Sequence, residues 1–239
     1  MIQIQNVSKK FGDFTAVDDL SLTVADGEFF GFLGPNGAGK TTTIKMLTGL
    51  FAPTSGDITV NGKSIVSQPM EAKATMAYVP DQPFLYDKLT GKEFLYFVGG
   101  LYRVEKKILH ERIRELIEHF EIGTWIDKRT EDYSQGMRQR TTIAAALVHK
   151  PKTIVIDEPM IGLDPRSAKV VRDTLHQQAA SGVTIFMSTH SLPVAEELCD
   201  RIGIINNGKL AFCDTQAAMA TYKQRLDGKL ESVFLELTK

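Results

Sequence analysis

Apolar and polar positions alternate at the start of the chain, in Ile2, Ile4 and Val7 and again in Val17, Leu20, Leu22 and Val24. Turn residues punctuate them at Gly12-Asp13 and Asp26-Gly27, and this period of two predicts an antiparallel β element. Phe29 to Leu33 is an unbroken apolar run that ends in glycines, after which Thr42 to Leu50 suits a helix closed by Gly49 and Pro53. The expected order there is strand, loop, helix. Asp57 to Asn61 predicts a strand before an Asn61-Gly62 turn, and Met76 to Val79 a strand stopped by Pro80.

From Leu89 to Lys150 the period changes. Apolar residues recur at helical spacing in Phe94, Phe97, Val98 and Leu101, then in Leu109, Ile113, Leu116, Ile117 and Phe120, which predicts an inserted helical block. Gly99-Gly100 weakens its first helix. After Pro151 strands and helices alternate: Thr153 to Ile156, about Ser167 to Ala180, Val183 to Ser188, about Pro193 to Asp200, and Arg201 to Asn206. Such alternation implies an α/β fold with a parallel sheet covered on both faces. The expected division is a single domain, 1–239, with a core of 1–84 and 151–222, a helical part of 85–150 and a tail of 223–239 that reads as amphipathic or strand-like.

Composition narrows the class. The 28 Lys and Arg against 29 Asp and Glu give a net charge of −1, so no nucleic-acid partner is expected. No apolar run approaches the roughly 18 residues of a spanning helix, and the first residues read as a strand rather than a signal peptide, which places the expected protein in the cytoplasm. Cys199 and Cys213 form no CxxC pair and the five histidines no HxxxH pair, which argues against a disulfide framework or structural zinc.

Chemistry concentrates in three places. Gly34, Pro35, Asn36, Gly37, Ala38, Gly39, Lys40 and Thr41 satisfy G-x-x-x-x-G-K-[ST] between an apolar strand and a helix that carries Thr42 in its first turn. Glycines let the backbone wrap a di- or triphosphate, so that N–H groups and the positive helix end meet the anion. Lys40 would reach the β and γ phosphates, and the Thr41 hydroxyl would ligate Mg²⁺. Asp157 and Glu158 follow the apolar run Thr153 to Ile156 at its carboxyl end, where open parallel sheets bind ligands. Asp157 would hold Mg²⁺ directly or through water, and Glu158 would orient or deprotonate the attacking water; the bland alternative is a strand-end turn. His190 follows another strand at the same edge, either as a donor to the γ-phosphate or as a structural histidine. Phe11 is either a stacking surface for a purine or core packing.

Tyr133 to Arg140 reads YSQGMRQR, which resembles the signature motif of the ATP-binding cassette family, with Tyr133, Gln135 and Met137 in place of the usual Leu, Gly and Gln. Gly34 to Thr41, then YSQGM, IVIDEP, Gly162 to Asp164 and His190 stand in that family's order over nearly the whole chain. The resemblance implies a P-loop NTPase core and a sandwich of two cassette subunits, identical or different, with ATP at the interface. Ser134, Gln135 and Gly136 would then meet the γ-phosphate from across the dimer, Ser134 also serving as an ordinary helix cap. Asp164 would lie at the seam, Phe11 would stack on the base, and His190 would act on the γ-phosphate. Where the family has a glutamine this chain reads YVPDQPFLY, so Asp81 is taken as the equivalent Mg²⁺ ligand, with Gln82 one residue later.

The variant signature, EPMIGLDP and the ending ESVFLELTK are similar to the ATPase subunits of ABC-2 type exporters. The expected protein is therefore an ATPase on the cytoplasmic face of the membrane, driving a separate transmembrane permease docked on the aromatic stretch Gln82 to Tyr102. The alternatives are a non-transport cytosolic cassette ATPase and a small-molecule kinase; the second leaves YSQGM and GLD unexplained.

Overall fold

In the computed structural model the described residues are 1–215, 217–218, 220 and 229–238. The chain begins with β1 (Ile2–Phe11), β2 (Phe14–Val24), β3 (Phe29–Leu33), α1 (Lys40–Leu47), β4 (Ser55–Val60), β5 (Lys63–Ser64), α2 (Pro69–Ala74) and β6 (Met76–Val79). Three helices follow, α3 (Gly91–Leu101), α4 (Lys106–His119) and α5 (Gln135–Leu147), with a 3₁₀ turn at Thr130–Asp132. Then come β7 (Thr153–Asp157), α6 (Pro165–Ala180), β8 (Thr184–Ser188), α7 (Leu192–Leu198), β9 (Arg201–Asn206), β10 (Lys209–Thr215) and α8 (Leu230–Leu237).

The core sheet runs β10-β9-β3-β8-β7-β6, and the other sheet runs β2-β1-β4-β5. All core-sheet pairs are parallel except β10 with β9, whereas β1 pairs antiparallel with both β2 and β4. Strands β3, β7 and β8 are buried throughout, so their alternation sorts side chains between two apolar layers rather than between core and water. Phe29, Leu33, Ile154, Ile156, Ile185 and Met187 face the layer shared with Leu95, Ile143, Val171, Leu175 and Val233 of the helices. Phe30, Phe32, Val155 and Phe186 face α1 and the antiparallel sheet, against Ile4, Val17, Leu22, Ile44 and Leu47. The three phenylalanines there stack with centroids 5.3 to 6.5 Å apart, so the two sheets share one core.

The helical block forms where the period predicts it. Thr90 opens α3 with a reciprocal capping box to Glu93, which satisfies two otherwise unpaired N–H groups. Gly99 does not end α3, contrary to its reading as a weak point: a Cβ there would stand 2.3 Å from Leu109 Cδ1. The glycine lets α3 and α4 approach closely, and that packing outweighs its low propensity.

Helix α1 starts two residues before the expected Thr42 and ends before Leu50, because the phosphate-loop turn supplies its first residues. The edge strand β10 and the short α2 had no expectation. Of the expected tail, residues 223–228 and 239 lie outside the described residues, and 230–237 form α8 rather than a strand, with Leu230 and Val233 buried.

Candidate nucleotide site

Because β6, β7, β8 and β3 are parallel, their carboxyl ends share one edge. That edge brings together the Gly34 to Thr41 loop, Pro80-Asp81, Asp157-Glu158 and Ser188 to His190. The loop needs its glycines for different reasons. At Gly34 a Cβ would lie 2.4 Å from the Ile205 carbonyl oxygen. Gly37 has open space but φ +79°, and Gly39 combines φ +111° with a carbonyl oxygen 2.6 Å from a built Cβ. Gly39 is also the residue that opens α1, with no side chain capping its N–H groups, so those donors are left for an anion. Asn36, Gly37 and Thr41 are exposed, Pro35 and Thr42 half-buried, and Ala38 and Lys40 buried.

Lys40 Nζ donates to the carbonyl oxygens of Gly34 at 2.6 Å and Pro35 at 3.1 Å. Burial pulls its ammonium below its usual value, while Glu158 and Asp157 push it back up. The lysine is thus held over the loop, positively biased by two acids and poised to exchange carbonyls for phosphate oxygens.

Asp157 is buried and accepts a hydrogen bond from Ser188 Oγ. Burial raises its carboxyl above the usual range, the Ser188 bond opposes this, and the charges of Asp81 and Glu158 raise it further. Asp81 acts at this distance, whereas nothing ties Gln82 to the acid pair among the described residues. Tyr78, on β6, has its hydroxyl pushed up to about 12 by burial, then by Asp157 and Asp81, so it stays a donor at neutral pH.

Asp157, Asp81 and the exposed Thr41 offer only oxygen donors, a set that suits a hard cation such as Mg²⁺. Among the described residues no cluster forms a protein-only cage.

Glu158 sits at φ +47°, a left-handed backbone that a glutamate adopts only when its surroundings impose it. Its N–H donates to Ser188 O at 3.0 Å, Thr189 Oγ1 donates to Oε2 at 3.2 Å, and His190 Nδ1 meets Oε1 at 2.8 Å. His190 is therefore joined to Glu158, with its side chain 60% exposed.

The YSQGM segment lies on the helical block. Tyr133, in the usual leucine's place, is buried and donates to Trp125 O at 2.9 Å. Ser134 caps α5, its Oγ accepting from Met137 N at 3.4 Å. Asp164 caps α6, accepting from the N–H groups of Arg166 and Ser167 and, at 2.5 Å, from Ser167 Oγ. The Ser167 bonds hold its carboxyl below the usual range. A Cβ on Gly136 would stand 3.2 Å from Ser167 Oγ and 3.5 Å from Asp164 Oδ2, and one on Gly162 3.1 Å from Gln135 Cγ. The signature and Asp164 thus form one surface. Phe11 is 45% exposed, with its ring edge-to-face on Phe51, so it is not core packing.

Sequence reasoning passed over Tyr78, Ser188, Thr189 and Gln139. Buried Gln139, whose Nε2 donates to Pro159 O at 3.3 Å, ties α5 to the residue after Glu158. The polar tripeptide Ser188-Thr189-His190 at a buried strand's end was the available signal for two of them.

A phosphate loop, a buried acid beside it and a glutamate–histidine pair on one sheet edge, with an inserted helical block, define a P-loop NTPase of cassette type. The ABC transporter family model matches residues 17–161, and the chain belongs to that family as an ATP-binding subunit with ATPase activity. The linearmycin resistance ATP-binding protein LnrL of Bacillus subtilis (strain 168) is 38% identical over 221 residues, 92% of this chain and 71% of that one. A solved ATP binding subunit of an ABC transporter covers 100% of both chains at 30% identity and TM-score 0.94. The cassette MJ0796, solved as a dimer in a post-hydrolysis state bound to ADP and Pi, shares the fold at 24% identity and TM-score 0.82, covering 90% of this chain and 99% of that one.

Proposed function

We propose that this chain hydrolyses ATP on the cytoplasmic face of a membrane to drive a separate membrane-spanning permease of the ABC-2 exporter type. No helix among the described residues is long and apolar enough to cross a membrane. The observation that carries the proposal is an exposed aromatic surface adjoining the Asp81 loop. Phe84 is 66% and Leu101 65% exposed, and Tyr86 packs edge-on against Phe84 and Phe97 with centroids 5.4 and 5.3 Å away. Tyr78, Pro80, Phe84, Phe94 and Tyr102 line a cleft of about 200 Å³ beside it. Apolar surface of this kind marks a partner site, and here it reaches Asp81 and so the acid pair.

ATP is held by loop N–H groups of residues 36–42 and by Lys40, with its base on Phe11. Thr41, Asp157 and Asp81 would hold Mg²⁺, which would offset phosphate charge when bound. Glu158 takes a proton from the attacking water at its carboxylate, and His190 orients it while facing the γ-phosphate. Two copies, or this chain and a second cassette, close so that Ser134, Gln135 and Gly136 of one meet the γ-phosphate held by the other, with Asp164 at the seam. The helical block, residues 85–150, carries closure to the permease as a rigid body.

The test is to tag the chain in its own cells, extract membranes in mild detergent and identify what copurifies. A polytopic membrane protein in near-stoichiometric amount, lost in Phe84→Asp, is the expected result. Recovery with cytosolic partners alone overturns the transport reading in favour of a non-transport ATPase.

A further inference from the structure

Phe11 and the phosphate loop belong to different sheets, yet one nucleotide must touch both. Phe11 ends β1 in the antiparallel sheet, and the loop joins β3 to α1. Their separation therefore has to be set by something that ties the tip of β1 to the end of α1.

Residues 50–54 make that tie. On one side, Leu50 and Phe51 N–H donate to Lys45 O at 2.8 and 2.9 Å, capping the end of α1. On the other, Thr54 N donates to Ser8 O at 2.8 Å, Lys10 N to Thr54 Oγ1 at 3.0 Å, and Lys9 Nζ to Ala52 O at 2.7 Å. At the centre Phe51 meets Phe11 with centroids 5.7 Å apart and planes at 74°, the edge-to-face geometry that ring quadrupoles favour. Cations complete the group. Lys9 Nζ lies 5.1 Å from the Phe11 centroid and 5.7 Å from that of Phe51, and Lys45 Nζ lies 5.4 Å from the Phe51 centroid. Phe51 also packs on the core shared by the two sheets. Phe11, 45% exposed, has no comparable burial to fix its ring.

We infer that Phe51 is a positioning residue for nucleotide recognition: its ring, with Lys9 and Lys45, holds Phe11 at the height and tilt at which a base bound over the phosphate loop stacks. The inference rests on the proposed stacking role of Phe11. Phe51 lies outside the Gly34 to Thr41 loop and packs on Phe11, so its contribution would belong to the base alone.

The experiment is a titration of the full chain with ATP and, separately, with inorganic triphosphate, which engages the loop without a base. Phe51→Leu keeps apolar bulk and loses the ring. It should weaken ATP about two- to tenfold, the scale of one aromatic pair, and leave triphosphate unchanged. Phe51→Tyr should restore ATP affinity, and in a Phe11→Ala background Phe51→Leu should have no further effect. Equal weakening of both ligands would show a merely structural residue, and no weakening of ATP would show an idle one; either overturns the inference while leaving Phe11 its role. If Phe11→Ala keeps the full preference for ATP over triphosphate, the stacking role fails and the inference falls with it.

Discussion

The phosphate-loop edge and the signature surface are both built on helix N-termini, yet they are finished to different degrees. At the edge, α1 opens on Gly39 with no capping side chain, Lys40 is buried over the loop, and the acid pair is within electrostatic reach. At the signature surface Ser134 and Asp164 already satisfy the first N–H groups of α5 and α6, and the half-buried Arg140 faces Asp164. Among the described residues no hydrogen bond or ion pair joins Ser134, Gln135 or Gly136 to the loop. In the two-subunit site proposed above, the first region would grip the polyphosphate and the second would add to that grip.

Variants that strike one region and spare the other sharpen that contrast. Glu158→Gln should lower steady-state ATP hydrolysis by about 10² to 10⁴ fold, the scale of losing a positioned base, with ATP affinity retained; near-native turnover would remove Glu158 from its role. Lys40→Ala should weaken ATP by about a hundredfold in a calorimetric titration, since charge-assisted bonds to phosphate vanish. An unchanged affinity would mean that the loop backbone alone suffices. Ser134→Ala should cut hydrolysis about tenfold or more while the dilute chain binds ATP as before. If it lowers only the stability, by the about 1 kcal/mol of a lost cap, Ser134 is a cap and nothing else.

Legibility followed the range of the forces. Gly37 and the run ending in Asp157-Glu158 are imposed locally, by backbone shape and by a strand buried on both faces, so the sequence displays them; Gly34 and Gly39 also make room for carbonyls of Ile205 and Ala16, and only the motif spacing displays those two. Gly99 displayed the wrong thing, because its reason for being there is Leu109 of another helix. Ser188 on Asp157 and Gln139 on Pro159 are contacts across 31 and 20 residues, which no periodicity encodes. The strand β10 was missed because its half-buried edge position gives Lys209 to Thr215 no clean alternation. Glu158 at φ +47° is invisible to any pattern of residue types, since propensity argues against it.

The smallest predicted effect separates what the edge does for binding from what it does for stability. Burial, with Asp81 and Glu158 nearby, raises the Asp157 carboxyl despite the Ser188 hydrogen bond. A carboxyl whose folded value lies above its unfolded value is better protonated in the native state, so the native state holds the extra proton between the two values. Stability then falls as pH rises through that window and carries the full cost of the buried charge above it. Asp157→Asn keeps an oxygen for Ser188 and removes the charge. The nucleotide-free variant should melt about 2 to 4 °C higher at neutral pH, the shift about 1 kcal/mol makes in a chain of this size, and the gain should shrink in acid. The same variant should lose Mg²⁺-dependent strengthening of ATP binding, so stability and function would move in opposite directions at one residue. A variant that melts lower at neutral pH would instead show that the Ser188 contact outweighs the buried charge, and that the edge is stabilised rather than strained before nucleotide arrives.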